Sequence, residues 1–237
     1  MRVDPHTVDS IVHVVKRGAR GMDIVRDYKD RQRFIESVFT LNDVFVDENW
    51  KRDIARLGPF ERPVHWPERE PLVRILLWTL LPNHFHLLLQ EVREGGIAKF
   101  MQKLCGSMSL SFNIKYCDQG NIFQGSYKGR LVDKDNYLRY LVFYISVKNV
   151  LELYPGGLVN ATKDFDRAWD WAIKYPFSSL PNYINSVESP ILDDSQGIIT
   201  EIFGRKDQFK KEAHEMLLTY LSSRPDEFEK IMLESWQ

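Results

Sequence analysis

The chain has 237 residues, of which 43% are hydrophobic and 27% charged, which provides for a substantial core and excludes a disordered or fibrous polypeptide. Its 32 Lys and Arg stand against 33 Asp and Glu, a formal net charge of −1, so a globally basic nucleic-acid binder is excluded and only local charge can mark such a surface. No N-terminal apolar segment resembles a signal peptide, and no run approaches the ~20 residues that span a bilayer. The expected setting is the cytoplasm, with Cys105 and Cys117, which lack CxxC or zinc-finger spacing, as reduced thiols.

In chain order, Ile11, Val12, Val14 and Val15 around His13 predict a strand over 9–17, ended by the basic Lys16-Arg17-Gly18-Ala19-Arg20-Gly21. Phe34, Ile35, Val38, Phe39 and Leu41 at helical spacing predict a helix over 30–42. Residues 43–71 pattern weakly and are expected to be part helix, part loop. A buried strand over 73–81, a turn at Pro82-Asn83 and an antiparallel strand over 84–91 follow.

After Gly95-Gly96, the spacing of Ile97, Phe100, Met101, Leu104, Met108 and Phe112 predicts an amphipathic helix ending near Cys117. A short strand over 127–133 and a helix from Asp135 or Asn136 to about Leu151 complete the pattern. The order implies an α+β fold: a ferredoxin-like antiparallel sheet with helices packed on one face. Residues 1–154 are expected to form this unit. Residues 155–237 form an aromatic-rich, mainly helical extension with helices over 198–203 and 206–222 separated by Gly204.

The chemistry concentrates in Leu81-Pro82-Asn83-His84-Phe85-His86. On a strand of period two, His84 and His86 share a face and Phe85 takes the other. Imidazoles in an apolar strand need partners, and either a divalent cation or hydrogen bonds in the core can supply them. Downstream come Asn121-Ile122-Phe123-Gln124-Gly125-Ser126-Tyr127-Lys128 and the helix Tyr137-Leu138-Arg139-Tyr140-Leu141-Val142-Phe143-Tyr144-Ile145. Across residues 103–139 the bases Lys103, Lys115, Lys128, Arg130, Lys134 and Arg139 outnumber the acids Asp118, Asp133 and Asp135.

These features, in this order, resemble the HUH single-tyrosine transposases, the insertion-sequence-200-like group and the REP-associated tyrosine transposases. The resemblance runs from near the first strand to Pro176-Phe177-Ser178-Ser179. It implies that His84 and His86 hold magnesium or manganese and that Tyr144 is the nucleophile. The implied substrate is single-stranded DNA beside a hairpin, cut through a 5′-phosphotyrosine and a free 3′-hydroxyl. The physical logic is independent: an oxygen nucleophile must lie in line with the leaving oxygen while a cation offsets developing charge. The covalent intermediate conserves the bond for rejoining.

One position departs from the family pattern, which places an amide residue four after the tyrosine; here it is Lys148. A protonated lysine has no lone pair for a metal. Three readings stand: Asn149 or another oxygen is the third ligand, Lys148 takes over part of the metal's electrostatic role at the DNA phosphate, or the site has decayed. Tyr140, one turn earlier, is the fallback nucleophile, and aromatic packing explains either tyrosine equally simply.

Lys16, Arg17 and Arg20 are candidates for tracking a DNA backbone, against a solvated strand end. Gln124, Tyr127, Lys128 and Arg130 are candidates for single-strand contacts that combine stacking with charge. His13, His65 and His214 lack a partner at ligand spacing and read as structural or exposed. Trp169 and Trp171 read as a packing cluster rather than a base-stacking platform. The functional alternatives are a decayed or domesticated relative that binds structured nucleic acid without cutting it, and a metal-dependent phosphoesterase for a small substrate. A monomer and a homodimer are both open, the latter with an active site shared between subunits.

Overall fold

A computed structural model describes residues 4–222. The final fifteen residues of the expected extension, 223–237, lie outside the described residues, as do residues 1–3. Strands β1 (Ile11–Arg17), β2 (Val73–Leu80), β3 (His84–Glu91) and β4 (Lys128–Leu131) form one sheet in the order β2-β3-β1-β4. Every pairing is antiparallel. Helix α1 (Tyr28–Leu41) and the short α2 (Trp50–Ile54) connect β1 to β2, and α3 (Gly96–Tyr116) connects β3 to β4. This is the α+β, ferredoxin-like arrangement.

Local chemistry sets the boundaries. Helix α1 begins at Tyr28, before the expected start, because Asp27 caps it: Asp27 Oδ1 accepts from Asp30 N at 2.9 Å and Asp30 Oδ2 accepts from Asp27 N at 3.4 Å. Gly96 opens α3 where the chain passes the Leu72 carbonyl so closely that any Cβ would collide with it.

Alternation divides the sheet into two faces with separate cores. On the first, Val12, Val14, Phe85, Leu87 and Leu89 pack with Phe34, Val38, Phe100 and Leu104 of α1 and α3. The second is covered by the chain after β4: α4 (Asp135–Phe143), a π-helical turn (Tyr144–Lys148), α5 (Asn149–Leu151), α6 (Gly157–Lys163), α7 (Phe165–Ala172), α8 (Leu180–Asn185), α9 (Ile198–Phe203) and α10 (Lys206–Ser222). One apolar cluster joins Leu76, Leu77 and Leu88 of the sheet to Leu141, Ile145, Trp169, Phe203 and Leu217.

The aromatic segment docks on the outer edge of β2. Leu80 N donates to Phe177 O at 3.0 Å and Ser179 N donates to Trp78 O at 2.9 Å, with Ser178 bridged to Thr79. Pro176-Phe177-Ser178-Ser179 thus covers an otherwise open sheet edge. Trp169 is buried in the second cluster, and the Trp171 ring meets Tyr154 and Tyr175 at 5.6 Å each. Neither Cys105 nor Cys117 is in a disulfide. Among the described residues no helix is long and apolar enough to cross a membrane.

Candidate active site

Strand register places the polar side chains of the second face. Thr79, His86, Val15 and Lys128 lie directly opposite one another across the four strands. In the next row Leu77, Leu88, His13 and Arg130 do the same. At the sheet end Arg17 is opposite His84. Cross-strand partners share a face, so three histidines and three of the candidate basic residues belong to one surface.

His13 is the residue that sequence reasoning missed. It is 1% exposed and its Nε2 lies 3.0 Å from Nδ1 of the fully buried His86. The two rings stack at 5.3 Å. A buried imidazole in an apolar strand requires a polar partner, and that requirement was the available signal. The partner is 73 residues away, so no spacing rule reveals it. His65 is exposed and 3.9 Å from Asp53, while His214 stacks on Phe165 at 4.2 Å.

The predicted tyrosine helix lies over this surface, with a break in its regularity at Tyr144. In the π-helical turn the Asn149 amide bonds to Tyr144 O instead of Ile145 O. The buried Thr79 hydroxyl, beside His86 in the sheet, donates to Ile145 O. Such insertions recur at functional sites. The Tyr144 ring stands edge-on to His86 at 5.6 Å and to His13 at 6.4 Å, and stacks on Tyr140 at 5.8 Å. His84 and His86 are likewise edge-on at 5.1 Å. Tyr144 is 1% exposed.

Lys148 is also 1% exposed. Its Nζ lies 4.6 Å from the Tyr144 ring centre, 5.3 Å from that of Tyr220 and 2.7 Å from Glu152 Oε1. A cation over an aromatic face, paired with a carboxylate one turn on, is a stable way to bury an ammonium. Tyr137, another phenol on this helix, is held well above the usual tyrosine range by burial, with Arg130 opposing that shift. The Arg130 guanidinium lies 5.2 Å from the Tyr137 ring centre.

The donors fit a divalent cation in part. Asn83 Oδ1 lies 2.6 Å from His84 Nδ1, and the Asn83 amide nitrogen donates to Gly21 O. With Asn83 Oδ1 as acceptor at Nδ1, a neutral His84 ring would present its Nε2 lone pair, the orientation that an outer partner imposes on a metal-binding histidine. Among the described residues no group of three or more His, Cys, Asp or Glu is placed to hold an ion. Asn149 is fully buried and neither atom of its amide has a hydrogen-bond partner among the described residues.

The remaining candidates are dispersed. Lys16 is buried on the first face, where its ammonium donates to Gly125 O and lies 5.2 Å from the Phe123 ring centre. Tyr127 packs against the first core, and burial, reinforced by Glu91, raises its phenol above the usual range. Arg20 is exposed in a 3-10 turn (Ala19–Gly21) just after β1, and Gln124 is exposed on the loop before β4, with Gln124 N donating to Arg17 O at 2.9 Å.

No family model and no curated protein matches the chain. A solved structure described as a REP-associated tyrosine transposase bound to a REP hairpin is 14% identical, with a TM-score of 0.42, over 81% of this chain and 93% of that one. That likeness is too distant to carry an argument about the site, which stands on the geometry above.

Proposed function

We propose that the chain is a transposase-type enzyme that cuts and rejoins single-stranded DNA beside a hairpin, with Tyr144 as its nucleophile. The observation that carries this reading is the Tyr144 ring set edge-on against the coupled His86–His13 pair, on a surface that also presents Arg17, Lys128 and Arg130. The phenol oxygen would attack the scissile phosphorus and release a 3′-hydroxyl, and attack by a new 3′-hydroxyl would reverse the step. The basic residues would hold the strand through its phosphates, and unpaired bases would supply recognition.

His84 and His86, with Asn149 as oxygen donor, would hold magnesium or manganese. When bound, the ion would polarise the phosphate and offset its developing charge. Lys148 would add a fixed positive charge beside the phenol, and His13 would orient His86. Residues 1–154 would form the catalytic unit and 155–237 the extension, of which the described part, 155–222, would support the tyrosine helix from outside. Because Tyr144 is buried, a substrate phosphate reaches it only when the cover over this face lifts.

That burial favours a second reading. A site in which Tyr144 and His86 are closed off and Lys148 is paired with Glu152 also suits a relative that binds structured nucleic acid without cutting it. Labelled hairpin-bearing strands taken from the DNA flanking the gene, incubated with manganese and run on a denaturing gel, separate the two. Cleavage with a covalent protein–DNA band supports the enzyme, and tight binding without either supports the binding module.

A further inference from the structure

A cavity of about 340 Å³ opens between α1, α2 and the loop after α2, lined by Arg33, Ser37, Trp50, Lys51 and Phe60 among others. It belongs to the helices of the first face, on the other side of the sheet from Tyr144. Two cations converge beside it. Lys51 Nζ donates to Ser111 Oγ at 3.0 Å, and Arg33 donates to the same oxygen at 3.4 Å. Like charges held on one neutral hydroxyl repel each other unless an anion joins them.

The nearby acids are engaged elsewhere or lie along the wall. Asp53 is 4.0 Å from Arg52 and 3.9 Å from His65, and Glu61 accepts from Gly58 N at 3.0 Å. Glu36 lines the cavity one helical turn from Arg33. No ion pair among the described residues serves Arg33 or Lys51. Burial first, and Arg33 second, hold the Lys51 ammonium below the usual lysine range. Ser37, 1% exposed, lines the same cavity with a hydroxyl that has no hydrogen-bond partner among the described residues. The Trp50 ring centre is 5.7 Å from Lys51 Nζ.

We infer that this cavity binds a nucleotide phosphate, with Lys51, Arg33 and Ser37 on its oxygens and the attached base against Trp50. Charge-assisted donors meet the phosphate, an indole face meets the base, and the Glu36 carboxylate accepts from an exocyclic amine, which favours adenine or cytosine over thymine. The phosphate can come from a free mononucleotide or from the backbone of a strand.

Calorimetric titration of the full chain with dAMP, and separately with an unstructured adenine-rich oligonucleotide, tests this. Lys51→Met and Arg33→Gln are each expected to weaken binding about tenfold or more, with unchanged melting temperatures, while Tyr144→Phe leaves dAMP binding as it was. Sensitivity of dAMP identifies a nucleotide site, and sensitivity of the oligonucleotide alone identifies a backbone-phosphate site. If neither ligand's affinity depends on Lys51 or Arg33, the assignment is wrong. That outcome would leave the role of Tyr144 untouched.

Discussion

The two faces of the sheet come from the same strands and serve different ends. Along β3, Phe85, Leu87 and Leu89 enter an apolar core under α1 and α3, whereas His84 and His86 on alternate positions meet His13, Thr79 and the tyrosine helix. Both faces are buried, but the groups that cost free energy to bury gather on the second, with Lys16 at the end of the first. The first face reads as scaffold and the second as a site in which His86 and Lys148 meet specific polar partners while the Asn149 amide has none among the described residues. Substitutions in the apolar core of the first face should therefore act on stability alone, and those among the buried polar groups of the second on chemistry as well.

The largest stability effect belongs to the first face. Phe85 is fully buried and its ring meets Phe34 at 5.1 Å and Phe123 at 6.1 Å. Phe85→Ala should cost about 3–5 kcal/mol in urea unfolding through lost burial and a cavity. A loss below about 1 kcal/mol would break the contrast between the faces.

Next is the buried ion pair of the second face. Glu152→Gln leaves the Lys148 ammonium buried without its carboxylate partner, and because Glu152 is partly exposed the expected loss is about 1–3 kcal/mol. Lys148→Met should recover much of that stability while lowering any cleavage activity. Equal activity with and without Lys148 would restrict it to a packing role.

His13→Ala removes the partner of His86 Nδ1 and should cost about 1–3 kcal/mol. If His13 orients His86, cleavage falls further than that stability loss explains at temperatures where the variant is fully folded, and His13→Gln restores part of it. Unchanged turnover in folded His13→Ala would place His13 outside the chemistry.

The smallest effect is a pH dependence at the end of the first face. Hydrogen bonding to Lys115 is the chief cause that holds the Asp27 carboxyl below its ordinary value of 3.8. Burial alone would raise Asp30, but Lys115, Tyr116 and the Arg26 amide together hold it below that value as well. Burial would lower Lys115, but Asp27, Asp30 and Tyr116 raise it above its ordinary 10.5. The two carboxylates therefore contribute stability above about pH 4 that fades as pH falls through their depressed values. The lysine contributes stability that is complete below its ordinary value and is lost as pH rises through its raised one. Lys115→Met should flatten both limbs of a stability–pH curve, and an unaltered curve would assign the shifts to other groups.

Much of the architecture was legible because strand and helix periods differ. The β3 strand over 84–91 was expected at the residues where it occurs, and the amphipathic spacing from Ile97 to Phe112 located α3. What periodicity could not convey was which distant residues share a face. Lys16 and Arg17 are neighbours in sequence, yet alternation sends Lys16 toward Phe123 and Arg17 toward His84. His13 lacked a local partner because its partner is reached only across a strand pairing. The π-helical turn also has no propensity signature, and the Ile145 carbonyl within it takes a hydrogen bond from Thr79, a residue of β2 far away in sequence.

Tyr144 as the attacking group is what the proposed function stands on. Its most direct test is mass spectrometry of proteolysed chain after reaction with labelled hairpin-bearing single strands and manganese. A nucleotide phosphate linked to the peptide at Tyr144 is expected, with no adduct in Tyr144→Phe and no more than about 1 kcal/mol lost in stability from removing one hydroxyl. An adduct on Tyr140, or one that persists in Tyr144→Phe, would contradict it.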